Sequence, residues 1–190
     1  MLVQGASSAL GSLTASLARH LGGHVIAASR SAAKRQRLEG LHPDAVLDPA
    51  EPGFVQEIRA LTGGRGADIV VDNLGEPGIW AASLAALAPG GALVSSGAFL
   101  GRDVTVDLPR LYLRGQRIIG VRTGNATSAR AVWAEADRGF RPMVDATFAL
   151  ADAARAHRYL QDEQNVGRVA LLVARQDPAR RNGAYASTDC

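Results

Sequence analysis

The opening eleven residues constrain the fold more than any other stretch. An apolar pair, Leu2-Val3, leads into Gly5-Ala6-Ser7-Ser8-Ala9-Leu10-Gly11, and a helical pattern begins at once. A strand, a turn of small residues and a helix in that order set the carboxyl end of the strand against the amino end of the helix. Free N–H groups and a partial positive charge make that helix end an anion site, and small residues let an anion approach the backbone. A strict G-x-G-x-x-G turn ending at Gly11 would have glycine where this chain has Ala6 and Ser8. Gly11 keeps the position at which helix and strand pack closely. Ala6, Ser7, Ser8, Ala9, Leu10 and Gly11 are therefore candidates for a pyrophosphate cradle, with Ser7 and Ser8 as extra hydroxyl donors.

Short apolar runs and longer amphipathic stretches alternate down the chain. Residues 2–4, 24–28, 45–47, 67–71, 92–96 and 118–121 read as strands, and 9–21, 31–39, 52–61, 77–87 and 128–138 as helices. In the first helix Leu10, Leu13, Leu17 and Leu21 fall on one face. The run at 67–71 is almost continuously apolar, which suits a parallel strand covered on both sides. Pro89-Gly90-Gly91 reads as a turn ahead of the next strand. This order predicts an α/β fold with a doubly wound parallel sheet, the Rossmann NAD(P)-binding arrangement, over residues 1–140. After Gly139 the rhythm changes to a strand at 144–150, a helix at 151–160 and a strand at 169–173. Residues 176–190, polar and small, read as a disordered tail.

The second strand ends in Ser29-Arg30-Ser31, with Lys34 one turn into the following helix. Sites that hold a ribose diol place Asp or Glu there. Here no acid repels a 2′-phosphate, and Ser29, Arg30 and Lys34 supply a hydroxyl and two cations to hold one. The expected cofactor is NADP(H).

Composition closes off other classes. The 190 residues carry a net charge of only +3, and aromatics make up 5%, without the dense basic stripe that nucleic acid binding calls for. No apolar run approaches the roughly 18–20 residues that span a bilayer, and the amino terminus lacks the basic start of a signal peptide. We expect a cytoplasmic protein with no nucleic acid or membrane partner. The sole cysteine is Cys190, and the four histidines are scattered, so no metal site is expected.

The chain resembles the cofactor-binding portion of the medium-chain dehydrogenase/reductases, on the quinone oxidoreductase and zinc-type alcohol dehydrogenase-like side. The resemblance covers about residues 1–174 and is carried by LVQGASSALGS, SRSAAK, LTGGRGADIVVDNLG, LAPGGALVSSGAF and RPMVDATFALADAARAHRYLQDEQNVGRVALLV. It implies hydride transfer between NADP(H) and a carbonyl, enone or quinone. It places Asn73, Leu74 and Gly75 after the fourth strand on the cofactor, Ser96, Gly97, Ala98 and Phe99 near the nicotinamide, and Asn165, Gly167 and Arg168 on a late loop returning to it. Asp48-Pro49 stands where a tyrosine often follows the third strand of quinone oxidoreductases.

In that family a catalytic domain precedes this region, whereas Met1 here adjoins the first strand. The resemblance thus implies that most of the catalytic domain is missing and that residues 141–175 are a short carboxyl-terminal remnant of it, without much of their packing partner. Exposed apolar surface there favours a homodimer or a separate catalytic-domain partner. A non-catalytic NADP(H)-binding module, or a subunit of a split enzyme, remains the alternative. No catalytic residue is assigned; Tyr112, Tyr159, Asp72 and Ser96 read as structural. GASSALG also resembles the short-chain dehydrogenases, but their Tyr-x-x-x-Lys pair is absent: Gln116, Glu163 and Asp189 stand four residues after Tyr112, Tyr159 and Tyr185. LAPGGALV resembles a methyltransferase motif, and Ser29 stands where such an enzyme needs an acid.

Overall fold

The computed structural model describes residues 1–122 and 124–173. Its elements are β1 (Leu2–Val3), α1 (Ala9–His20), β2 (Ile26–Ala28), α2 (Ala32–Leu38), β3 (Ala45–Leu47), α3 (Phe54–Leu61), β4 (Ala67–Val71), α4 (Pro77–Ala86), β5 (Leu87–Ser95), α5 (Leu108–Leu113), β6 (Arg117–Gly120), α6 (Ala126–Asp137), β7 (Val144–Ala149), α7 (Ala153–Gln161) and β8 (Arg168–Leu172). Six strands form one parallel sheet in the order β3-β2-β1-β4-β5-β6, and β7 and β8 form a separate parallel pair. The predicted doubly wound α/β fold is what the chain adopts. The strand order reverses between β1 and β4, which opens a crevice at the carboxyl ends of those strands.

Polar residues start the helices. Ser8, Ser31, Glu76, Asp107 and Asn125 each accept, through the side chain, the N–H of the residue three positions on. Each satisfies one of the donors that a helix leaves unpaired at its start. The strands then bury their alternate side chains on the two faces of the sheet. Leu2, Ile26, Leu47, Val70 and Leu93 meet Phe54 and Ile58 of α3 and Trp80 and Leu84 of α4. Val3, Val25 and Ala27 meet Ala15 of α1, Leu38 of α2 and Val166.

Three local readings need correction. The leucine spacing does not mark the buried face of α1: Leu10 and Leu21 are 43% and 63% exposed, while Gly11, Ser12 and Ala15 are buried. The reason is distance, since only small side chains fit where this helix touches the sheet. Pro89-Gly90-Gly91 does not precede the fifth strand but lies within it, at a register shift where Ala67 pairs with Leu87 and Ile69 with Ala92. Gly90 takes φ +74°, a left-handed conformation that glycine adopts without strain. Strand β4 is also not covered on both sides, as Ile69 is 42% exposed. Helix α5 was not anticipated, although Asp107 and Pro109 mark its first turn.

The closing segment is anchored at one end. Val166 is fully buried in the core, and the Gly167 N–H donates to the Ser7 carbonyl at 3.0 Å. Arg37 of α2 donates to the Gln164 carbonyl at 2.7 Å and pairs with Asp145, which also accepts the Tyr159 hydroxyl at 2.8 Å. Elsewhere the segment is open, with Leu150 53% and Leu172 65% exposed. The expected tail at 176–190 lies outside the described residues.

Val166→Asp would bury a carboxylate without a partner. Amide exchange should show residues 141–173 losing protection to a greater extent than the six-stranded sheet. Equal protection in both proteins would mean that Val166 does not anchor the segment.

Candidate functional site

At the strand-order reversal lies a cavity of about 540 Å³. Gly5, Ser7, Ser8 and Ala9 form its floor, at the start of α1. Ala28, Ser29, Arg30, Ser31, Lys34 and Pro49 form one wall, at the ends of β2 and β3. Leu74, Ile79, Phe99 and Leu100 form the other, and Glu163 and Asn165 stand on the rim.

The floor follows from the glycine turn. A Cβ on Gly11 would stand 2.3 Å from the Gly5 carbonyl oxygen and 2.8 Å from the Ala6 Cα, so only glycine lets α1 sit this close to β1. Ser8 uses its hydroxyl to accept the Gly11 N–H at 3.0 Å. Among the described residues the N–H groups of Ala9 and Leu10 have no hydrogen-bond acceptor. They are donors at a helix amino end next to an open cavity, the arrangement that holds a phosphate.

The β2 wall is cationic. The Ser7 and Ser29 hydroxyls lie 3.2 Å apart and link the turn to the end of β2. Arg30 and Lys34 line the cavity and form no ion pair among the described residues. Behind them, Arg35 donates to the Ser29 and Arg30 carbonyls and to Asp48.

The opposite wall is shaped by a buried carboxylate. Asp72 has no exposure, and its Oδ1 accepts the N–H groups of Leu74 at 2.8 Å and Gly75 at 3.1 Å. Ser83 donates to its other oxygen and accepts from Gln4. Asn73 accepts both the N–H and the hydroxyl of Ser96 at 2.8 Å, joining the loops after β4 and β5. Glu76 caps α4 beside Ile79. The Ile79 and Gly78 N–H groups hold its carboxyl below the usual carboxylate range, with the Arg30 charge adding to the effect.

The structure brings together Ser7, Ser8, Ala9, Ser29, Arg30, Lys34, Leu74, Phe99 and Asn165 among the residues anticipated for the site. It places the others around the cavity rather than on its surface. Ala6 and Gly11 are buried under the turn, and Leu10 faces outward. Gly75 packs against Gly101 and Ala98, Gly97 lies against Asn73, and Gly167 lies behind the turn against Ser12. Arg168 is exposed at the start of β8. Sequence reasoning missed Gly5, Ala28, Ser31, Pro49, Ile79, Leu100 and Glu163. The serine and glycine adjoin anticipated positions, but nothing local marks Ile79 or Glu163. Of the polar candidates considered for chemistry, Asp72, Ser96 and Tyr159 are engaged in the bonds described, and Tyr112 is 69% exposed. Among the described residues no group of three or more His, Cys, Asp or Glu side chains is placed to hold a metal ion.

The family model described as zinc-binding dehydrogenase matches residues 9–138. The chain belongs to that family and represents the cofactor-binding portion of the medium-chain dehydrogenase/reductases. It is similar to a 2-haloacrylate reductase from Burkholderia sp, at 28% identity over 90% of this chain and 55% of the relative. It is also similar to a quinone oxidoreductase from Pseudomonas aeruginosa, at 29% identity over 90% of this chain and 56% of that protein. Among solved structures, the 2-octenoyl-CoA carboxylase reductase CinF in complex with NADP and 2-octenoyl-CoA superposes with a TM-score of 0.80. Its identity is 29%, over 95% of this chain and 46% of that one. The chain spans about half the length of these relatives.

Two outcomes test this geometry. Gly11→Val should abolish binding of NADPH and NADH alike in a titration, because the side chain forces α1 off β1; unchanged affinity would show the turn to be only a connection. Glu76→Gln, which keeps the capping oxygen and removes its charge, should cost roughly 0.3–1 kcal/mol of stability near neutral pH. Because the folded carboxyl titrates below its unfolded value, the Glu76 contribution is present above the ordinary carboxylate range. It is lost as pH falls through the folded pKa. Unfolding measured against pH should therefore show the gap between the two proteins closing on the acid side, and a gap that persists there would contradict this account of the cap.

Proposed function

We propose that this chain binds NADP(H) and forms the cofactor half of an oxidoreductase that moves a hydride to or from a carbonyl, enone or quinone. One observation carries the reading. The cavity joins free N–H groups at the start of α1 to Ser29, Arg30 and Lys34, with no acid at the end of β2. The N–H groups of Ala9 and Leu10 suit a pyrophosphate, and the two cations suit the 2′-phosphate of the adenosine. The single carboxylate among the described lining residues, Glu163, belongs to the late loop and not to β2. The cofactor carries the redox chemistry, and the chain orients it. The relatives named as reductases and a quinone oxidoreductase support that class of substrate, and the neighbour holding NADP supports the cofactor.

Residues 1–140 act as the dinucleotide-binding unit, and residues 141–175 as the segment that closes onto a catalytic domain or a partner chain. The apolar edge at β6, where Ile118 and Ile119 are each 39% exposed, supports pairing with a second copy. Among the described residues no helix is long and apolar enough to cross a membrane.

Arg30→Glu tests the cofactor assignment. Losing the phosphate pair and adding a repulsive charge should weaken NADPH by on the order of 2 to 4 kcal/mol, with a much smaller effect on NADH. Equal losses for the two cofactors would overturn the role given to Arg30.

A further inference from the structure

The cationic wall contains an acid that its surface does not show. Strand β3 pairs with β2 so that Leu47 lies opposite Ala28, and the Ser29 N–H donates to the Leu47 carbonyl at 3.1 Å. The residue just after β3 is Asp48, so a carboxylate stands close to Ser29, one strand over from the place where an acid would select a ribose diol. Pro49, which follows it, lines the cavity. The other Asp48 oxygen is fixed by the Ala50 N–H at 2.9 Å, so the carboxylate cannot simply turn away.

Arg35 closes this arrangement. The two hydrogens of a single guanidinium nitrogen, Nη1, are shared among three acceptors: the Ser29 carbonyl at 2.8 Å, the Arg30 carbonyl at 2.9 Å and Asp48 Oδ2 at 2.6 Å. The pair is largely withdrawn from water, with side-chain exposures of 24% for Arg35 and 16% for Asp48. A charge so placed is screened much less than one on the open surface. Arg35 does not itself line the cavity. It touches the two residues that do, through their backbone, and it offsets the Asp48 charge, which would oppose a phosphate on this wall.

We infer that Arg35 is a positioning residue that sets the preference for the phosphorylated dinucleotide, by neutralising Asp48 and by fixing the backbone that presents Ser29 and Arg30 to the cavity. The inference rests on the reading of the cavity as an NADP(H) site. Removing Arg35 leaves an uncompensated carboxylate behind the wall that repels a dianionic 2′-phosphate, whereas an uncharged ribose diol meets no such repulsion. The effect therefore falls on NADPH and spares NADH. A purely structural role, in which Arg35 only stiffens the loop, would weaken both cofactors together and would not depend on Asp48.

The experiment titrates the full chain, Arg35→Gln, Asp48→Asn and the double variant with NADPH and with NADH, with thermal unfolding recorded for each. Arg35→Gln should weaken NADPH by about tenfold or more and leave NADH within about twofold. Adding Asp48→Asn should restore most of the lost NADPH affinity, because the asparagine oxygen still accepts from Ala50 while the charge is gone. Asp48→Asn alone should tighten NADPH by about threefold or more, and this holds the inference open to refutation even if Arg35→Gln unfolds. Parallel losses for both cofactors, absence of rescue by Asp48→Asn, or no tightening in the single variant would each overturn it. An unaltered chain that does not prefer NADPH would overturn the cofactor reading itself, and that result is visible before any variant is compared.

Discussion

Everything at the site depends on how close α1 comes to β1. The contact leaves no room for a side chain at Gly11, where even a Cβ would meet the Gly5 carbonyl. Because the helix starts this low, its amino end, with its unpaired N–H groups, stands at the crevice, where Ala9 joins the lining. The same closeness explains why glycine, serine and alanine, and not the leucines, form its buried face. The closing segment uses this contact too, since Gly167 donates to Ser7 on the turn and Val166 packs beneath it.

Charge then decides which dinucleotide the crevice suits. The helix amino end favours any pyrophosphate, so it cannot discriminate between the two nicotinamide cofactors. Discrimination falls to the ends of β2 and β3, where Arg30 and Lys34 face the cavity and the Arg35–Asp48 pair stands behind them. The wall is thus built in two layers, with free cations in front and a compensated ion pair behind. The backbone carbonyls of Ser29 and Arg30 join the layers.

Much of this was legible in the sequence because it is written locally. Strands β3 and β4 are bounded by turn residues, and the glycine turn and the Ser29-Arg30-Ser31 segment can be read as short words. What was not legible depends on contacts between distant residues. The start of β5 is fixed by pairing Leu87 with Ala67, twenty positions earlier, not by its own composition. The buried face of α1 is chosen by its approach to the sheet, against its own leucine periodicity. Asp48-Pro49 was noticed only as the absence of a tyrosine, whereas its charge matters through Arg35, thirteen residues away. Glu163 and Asn165 reach the rim only because the closing segment folds back over α2.

The central claim is that the crevice is a working site with a built-in preference for the 2′-phosphate. It is tested most directly by calorimetric titration of the unmodified chain with NADPH and then with NADH. The account predicts saturable binding of NADPH, one molecule per chain, and distinctly weaker binding of NADH. Equal affinity for the two would contradict the role given to the cationic wall, and failure to bind either would contradict the reading of the crevice as a dinucleotide site.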